Sequence, residues 1–197
     1  MGNLVAVEFM TLDGVMQSVL SADEDREGGF DQGGWVLPYV DEVVETFMSS
    51  ATAGASAMLV GRRTYEIFAA TWPAADPADP AVAAMNAMPK YVVSRTLGDD
   101  LPWANSLRIG PDLPGEVARI KRGTEGDIVV LGSGELLRSL IALDAVDEYR
   151  LLVFPLLLGR GKRLFDGGTV PSRLSLVDTK TSTSGVLITT YRRVTPA

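Results

Sequence analysis

Five short segments of this chain combine glycine, hydroxyl and basic side chains as a phosphate cradle requires. They are Thr11-Leu12-Asp13-Gly14, Gly61-Arg62-Arg63-Thr64-Tyr65, Ser94-Arg95-Thr96, Gly132-Ser133-Gly134-Glu135, and the run from Pro155 to Phe165 with Gly159, Arg160, Gly161 and Lys162. Glycine lets the backbone turn sharply and come close to a ligand. A helix starting just after such a turn offers free N–H groups and the positive end of its dipole to an anion. A neighbouring guanidinium adds charge-assisted hydrogen bonds. Anion and nucleotide binding is therefore the chemistry these residue types suggest.

Two absences narrow the options further. The chain contains no Cys and no His. Disulfides, thiolate nucleophiles, His-dependent catalytic triads and zinc deaminase sites are excluded. The net charge of −7 argues against a general nucleic-acid binder, whose footprint is basic. The basic residues Arg62, Arg63, Arg95, Arg160, Lys162 and Arg163 nevertheless fall inside or beside the glycine-containing segments.

The elements that must position these segments can be read from periodicity. Leu4–Met10, Ala57–Val60, Lys90–Ser94, Ser106–Ile109, Asp127–Leu131 and Glu148–Phe154 read as strands. Helices are expected over Val40–Ser50, from Thr64 to Ala70, from Gly115 to about Lys121 and over Glu135–Leu143. In the first of these, Val40, Val43, Val44, Phe47 and Met48 recur at helical spacing. Leu174–Thr179 and Val186–Arg192, joined by Thr-Ser-Thr-Ser-Gly, read as a hairpin. Ser18–Gly34 and Thr71–Pro80 read as excursions near a cleft. At 197 residues the chain is expected to form one domain. Its fold class is α/β: a mainly parallel mixed sheet between helices, with an antiparallel C-terminal hairpin. Ligands in such sheets sit at the carboxyl ends of the strands. No stretch approaches the length of a membrane span, and the N-terminal run reads as a strand, so a cytoplasmic setting is expected.

In order and spacing, the five segments resemble the dihydrofolate-reductase-like domain of the riboflavin-biosynthesis reductases. The resemblance runs from Thr11 to about Arg192. It implies an NADPH-dependent reductase that delivers hydride to a pyrimidine ribosylamine, and a homodimer. It assigns cofactor contacts to Gly61, Arg62, Arg63, Thr64, Ser94, Arg95, Gly132, Ser133, Gly134 and Glu135, with Arg95 facing the 2′-phosphate. Substrate contacts would come from Trp35, Gly159, Gly161 and Lys162, and Asp13 would lie at the mouth of the site. Dihydrofolate reductases carry a carboxylate on the first helix, which makes Glu45 and Asp41 candidate proton donors beside Asp13; no metal is implied. The Rossmann fingerprint is absent, because the glycine-rich turn is too short for it. Two alternatives stay open: a dihydrofolate or pteridine reductase, and a non-catalytic oligomeric nucleotide-binding protein.

Overall fold

The computed structural model describes residues 1–166 and 169–194. Its strands are β1 (Asn3–Thr11), β2 (Ala55–Gly61), β3 (Lys90–Val93), β4 (Ser106–Ile109), β5 (Asp127–Leu131), β6 (Glu148–Phe154), β7 (Leu174–Thr181) and β8 (Leu187–Arg193). Between them run helices α1 (Glu42–Ala53), α2 (Arg62–Thr71), α3 (Pro80–Ala87), α4 (Leu113–Gly123) and α5 (Gly134–Ala142). All eight strands join one sheet in the order β4-β3-β2-β5-β1-β6-β8-β7. Pairing is parallel from β4 to β6 and antiparallel where β8 meets β6 and β7.

The alternation of side chains along the central strands builds two cores. Val5 and Val7 of β1, with Met58, Val60, Val129 and Leu131, face α1, α2 and α3, where Val44, Tyr65 and Met85 meet them. Leu4 and Ala6, with Ala57, Leu59, Ile128 and Val130, face the other way, toward Val117 and Ile120 of α4 and Leu136, Leu137 and Leu140 of α5. A parallel strand covered on both faces has no solvent side, which explains the unbroken apolar runs. The expected three-layer α/β architecture is the observed one.

The departures are local. The sequence reading leaves residues 81–89 unassigned, whereas Pro80–Ala87 forms a helix. Asp79 accepts a hydrogen bond from the Ala81 amide, and Pro80 follows as the first helical residue, where its missing N–H costs nothing. Helix α1 starts at Glu42 rather than Val40, because Asp41 caps it through the Val44 amide. The hairpin strands run two residues further at the end of β7, and β7 carries a bulge between Leu176 and Asp178.

Candidate active site

Parallel pairing brings the carboxyl ends of β1, β2, β3, β5 and β6 to one edge of the sheet, and each of the five segments follows one of those ends. A cleft of about 1230 Å³ opens there. Its wall includes Gly61 to Thr64, Ser94 to Thr96, Gly132 to Leu136 and Lys162. Three of the five segments thus meet in one cavity, joined by one residue of a fourth. The expected excursion Ser18–Gly34 also reaches it through Ser18, Val19, Leu20, Glu24 and Asp25.

Two helix N-termini open into this cleft. Helices α1, α3 and α4 are each capped by an aspartate, Asp41, Asp79 and Asp112. Neither α2 nor α5 has a side-chain cap. Gly61 sits at the N-cap of α2, and Ser133 at that of α5 in the left-handed region, with φ 64°. The Gly61 amide donates to Ser133 Oγ at 2.8 Å, so the two turns brace each other. Gly132 also has a positive φ of 61°, and a Cβ there would meet only Thr64 Cγ2, at 4.0 Å. The space beside this turn is open rather than filled by protein. Uncapped amides over open space suit a pyrophosphate, so these residues fit the cofactor that the resemblance implies.

Charge in the cleft is largely paired internally. Lys162 Nζ lies 2.7 Å from Asp25 and 2.6 Å from Glu27, and 4.0 Å from Glu135. Arg63 reaches Glu27 at 3.0 Å and Asp25 at 3.6 Å. Burial works against the Lys162 charge, but its bonds to Asp25 and Glu27 outweigh that and raise its pKa. Arg62 pairs with Glu66 on the exposed face of α2. Arg95 is exposed and has no acidic partner among the described residues. Ser94 is buried, and its Oγ accepts from the amides of Thr96 and Leu97, which shapes the turn that carries Arg95.

Other candidates from the sequence lie elsewhere. Asp41 is spent on α1 and on the hairpin turn, where Thr183 Oγ1 and the Ser184 amide donate to it. The Thr183 hydroxyl leads in holding its carboxyl well below the usual range. Glu45 is exposed on α1, and it is Met48, Ser49 and Thr52 of that helix that line the cleft. Trp35 is buried in the core, its Nε1 donating to the Gln17 carbonyl and its ring edge-on to Phe154. Gly161 packs tightly, since a Cβ would come within 2.6 Å of Val15 Cγ1. Of the aromatic side chains on and after α2, Trp72 lines the cleft, whereas Tyr65 is buried and its hydroxyl accepts from the Trp103 amide.

Asp13 is a clamp between loops. Its carboxylate accepts from Thr11 Oγ1 and from the amides of Leu158 and Gly159, and pairs with Arg163. Burial opposes its ionisation, but the Thr11 hydroxyl and these amides prevail and hold it at about 2. Asp13→Ala is expected to lower stability at pH 7 by about 2 kcal/mol, the usual scale for hydrogen bonds to a charged group. The contribution is present above the unfolded carboxyl range near 4 and is lost as pH falls toward 2. Urea denaturation of both proteins at pH 7 and pH 2.5 checks this: the gap should shrink at the lower pH, and a constant gap would refute the clamp.

The cleft also holds an acid that the sequence reading does not single out. Glu8 lies on β1, is 3% exposed, and lines the cavity. Its signal was available: a carboxylate inside Leu4–Met10, on a strand whose neighbours are apolar on both faces.

A doubly covered, mainly parallel sheet with glycine turns and two open helix ends at one edge defines an α/β domain built to hold an anionic ligand at that edge. The chain belongs to the RibD C-terminal domain family, whose model matches residues 3–188. A putative riboflavin biosynthesis protein from Shewanella sp. PV-4 superposes with a TM-score of 0.73 at 19% identity, over 98% of this chain and 99% of that one. A pyrimidine reductase-like protein from Corynebacterium diphtheriae superposes with a TM-score of 0.67 at 14% identity, over 99% and 93%. The uncharacterized protein YyaP of Bacillus subtilis (strain 168) is 36% identical over 102 residues, 52% of this chain. That match spans only 53% of YyaP.

Proposed function

We propose that the protein is an NADPH-dependent reductase acting on a pyrimidine ribosylamine of the 5-amino-6-(5-phosphoribosylamino)uracil type. The observation that carries this reading is the pair of uncapped helix N-termini, α2 and α5, facing one cleft beside the Gly132-Ser133-Gly134 turn. Bound there, the dinucleotide would supply hydride. The amides at Arg62, Arg63, Gly134 and Glu135 would hold its pyrophosphate, and Arg95 its 2′-phosphate. Thr64 and Ser133 add hydroxyls to the same wall. Lys162 and Arg63 remain for a substrate phosphate, once it displaces Asp25 and Glu27 from them. Membership of the RibD C-terminal domain family supports the reaction class.

Calorimetric titration with NADPH and NADH tests the cofactor, followed by NADPH oxidation in the presence of the ribosylaminouracil phosphate. Arg95→Ala is expected to weaken NADPH by about tenfold or more, the scale of one charge-assisted contact, and to leave NADH nearly unchanged. Equal losses for the two dinucleotides would remove Arg95 from the 2′-phosphate. A homodimer belongs to the same reading: all eight residues of the outer strand β7 are exposed, Leu174, Leu176 and Val177 among them. So does a cytoplasmic setting; among the described residues no helix is long and apolar enough to cross a membrane.

A further inference from the structure

Strand β1 lies between β5 and β6, and Glu8 sits near its carboxyl end, paired in register with Leu151. The Gly132 amide reaches the Val7 carbonyl at 3.4 Å, which places Glu8 next to the glycine turn. Among the described residues Oε1 accepts only from the amide of its own neighbour, Phe9, at 3.2 Å. Oε2 is fully buried and has no hydrogen-bond partner among the described residues. Buried carboxylates normally find a cation or several donors. Besides Glu8, the charged groups of the cleft wall are Glu24, Asp25, Arg62, Arg63, Asp79, Arg95, Glu135 and Lys162. Asp25 and Glu27 take Arg63 and Lys162, Glu66 takes Arg62, and none of these cations bonds to Glu8 among the described residues. Burial foremost, with the Glu24 charge adding and the Phe9 amide opposing, pushes the Glu8 carboxyl up to about 8. The group is therefore a neutral acid at pH 7, with one proton to give.

We propose that Glu8 donates, through Oε2, the proton that completes substrate reduction, and that the substrate presents there a nitrogen or oxygen doubly bonded to the carbon being reduced. This rests on the reductase reading above, which supplies a hydride to that carbon from the reduced nicotinamide. At the adjacent heteroatom the C=N or C=O π pair takes up the Oε2 proton as the O–H bond breaks. Glu8 is left as a carboxylate and regains a proton from water. A neutral donor at this point suits an unprotonated imine or carbonyl, which can accept its hydrogen bond, over a protonated ring nitrogen, which cannot; among the described residues Oε2 has no other partner.

The experiment compares the full-length wild type with Glu8→Gln, both carrying ¹³C in the glutamate carboxyls. In the wild type, one carboxyl resonance that is missing from the variant should titrate near pH 8. Glu8→Gln should bind NADPH within about threefold of wild type, and lose about 100-fold or more in kcat with the ribosylaminouracil phosphate. The fall in wild-type kcat/KM as pH rises through about 8 should vanish in the variant. A Glu8 resonance titrating in the ordinary carboxylate range overturns the proposal, as does variant turnover within about threefold of wild type. Failure of wild type to bind NADPH overturns the reductase reading instead. The resonance then decides Glu8 alone: a proton held above pH 7 keeps it as the acid of the cleft, and one lost below pH 5 removes it.

Discussion

Glu8→Gln is expected to be more stable than the wild type at pH 9 and close to it at pH 4. The Glu8 carboxyl ionises at about 8 in the folded protein against an ordinary value of 4.5. Between those values the native state keeps a proton that the unfolded chain has released. Raising the pH therefore favours unfolding across this window, and the loss levels off above about 8. At ~1.36 kcal/mol per pH unit, the interval corresponds to roughly 5 kcal/mol as an upper scale, before water entry or relaxation of the cleft reduces it. Glutamine stays neutral and escapes the loss. Lys90, another buried titratable group, is pushed down to about 8 by burial. It is common to both proteins, so the difference between them isolates Glu8. Urea denaturation at pH 4, 6 and 9 gives that difference directly. Curves that stay parallel across the series would show that Glu8 ionises freely in the folded state.

The contrast between Glu8 and the acids chosen from the sequence shows where local reading stops. Strand β5 and helix α5 are legible because their patterns are local: Ile128–Leu131 is an uninterrupted apolar run, and Leu136, Leu137, Leu140 and Ile141 recur at helical spacing. Each of these residues is buried as that pattern requires. The glycine turns are legible for the same reason, since a turn between a strand and a helix spans only a few residues. A proton-donor role depends on what surrounds a carboxyl in space. Asp13 reads as turn chemistry, but its partners Leu158 and Gly159 lie 145 and 146 residues away. Asp41 reads as a candidate proton donor on the first helix, yet it closes the hairpin turn at Thr183 and Ser184. Helix α3 was hidden by its own start signal, because Pro80 after Asp79 reads as loop until the capping geometry is seen.

Gly132→Val is expected to weaken NADPH binding by about 100-fold or more while the protein stays folded. The two effects separate because of where the missing Cβ would point. A valine at φ 61° is strained by roughly 1–2 kcal/mol, which a domain of this size can bear when its core is untouched. A valine Cβ meets nothing closer than Thr64 Cγ2 at 4.0 Å, so its methyls enter the open space between the starts of α2 and α5. That is the space a pyrophosphate needs to reach the free amides of both helices. Gly134 offers a contrast, because a Cβ there would point at the flexible end of the Met16 side chain, which must shift aside, rather than into open space. Calorimetry with NADPH, beside a thermal melt of each variant, separates the two cases. A folded Gly132→Val protein that binds NADPH as tightly as the wild type would show that the pyrophosphate does not lie on this turn. The cofactor assignment would then have to rest on the Ser94-Arg95 end of the cleft alone.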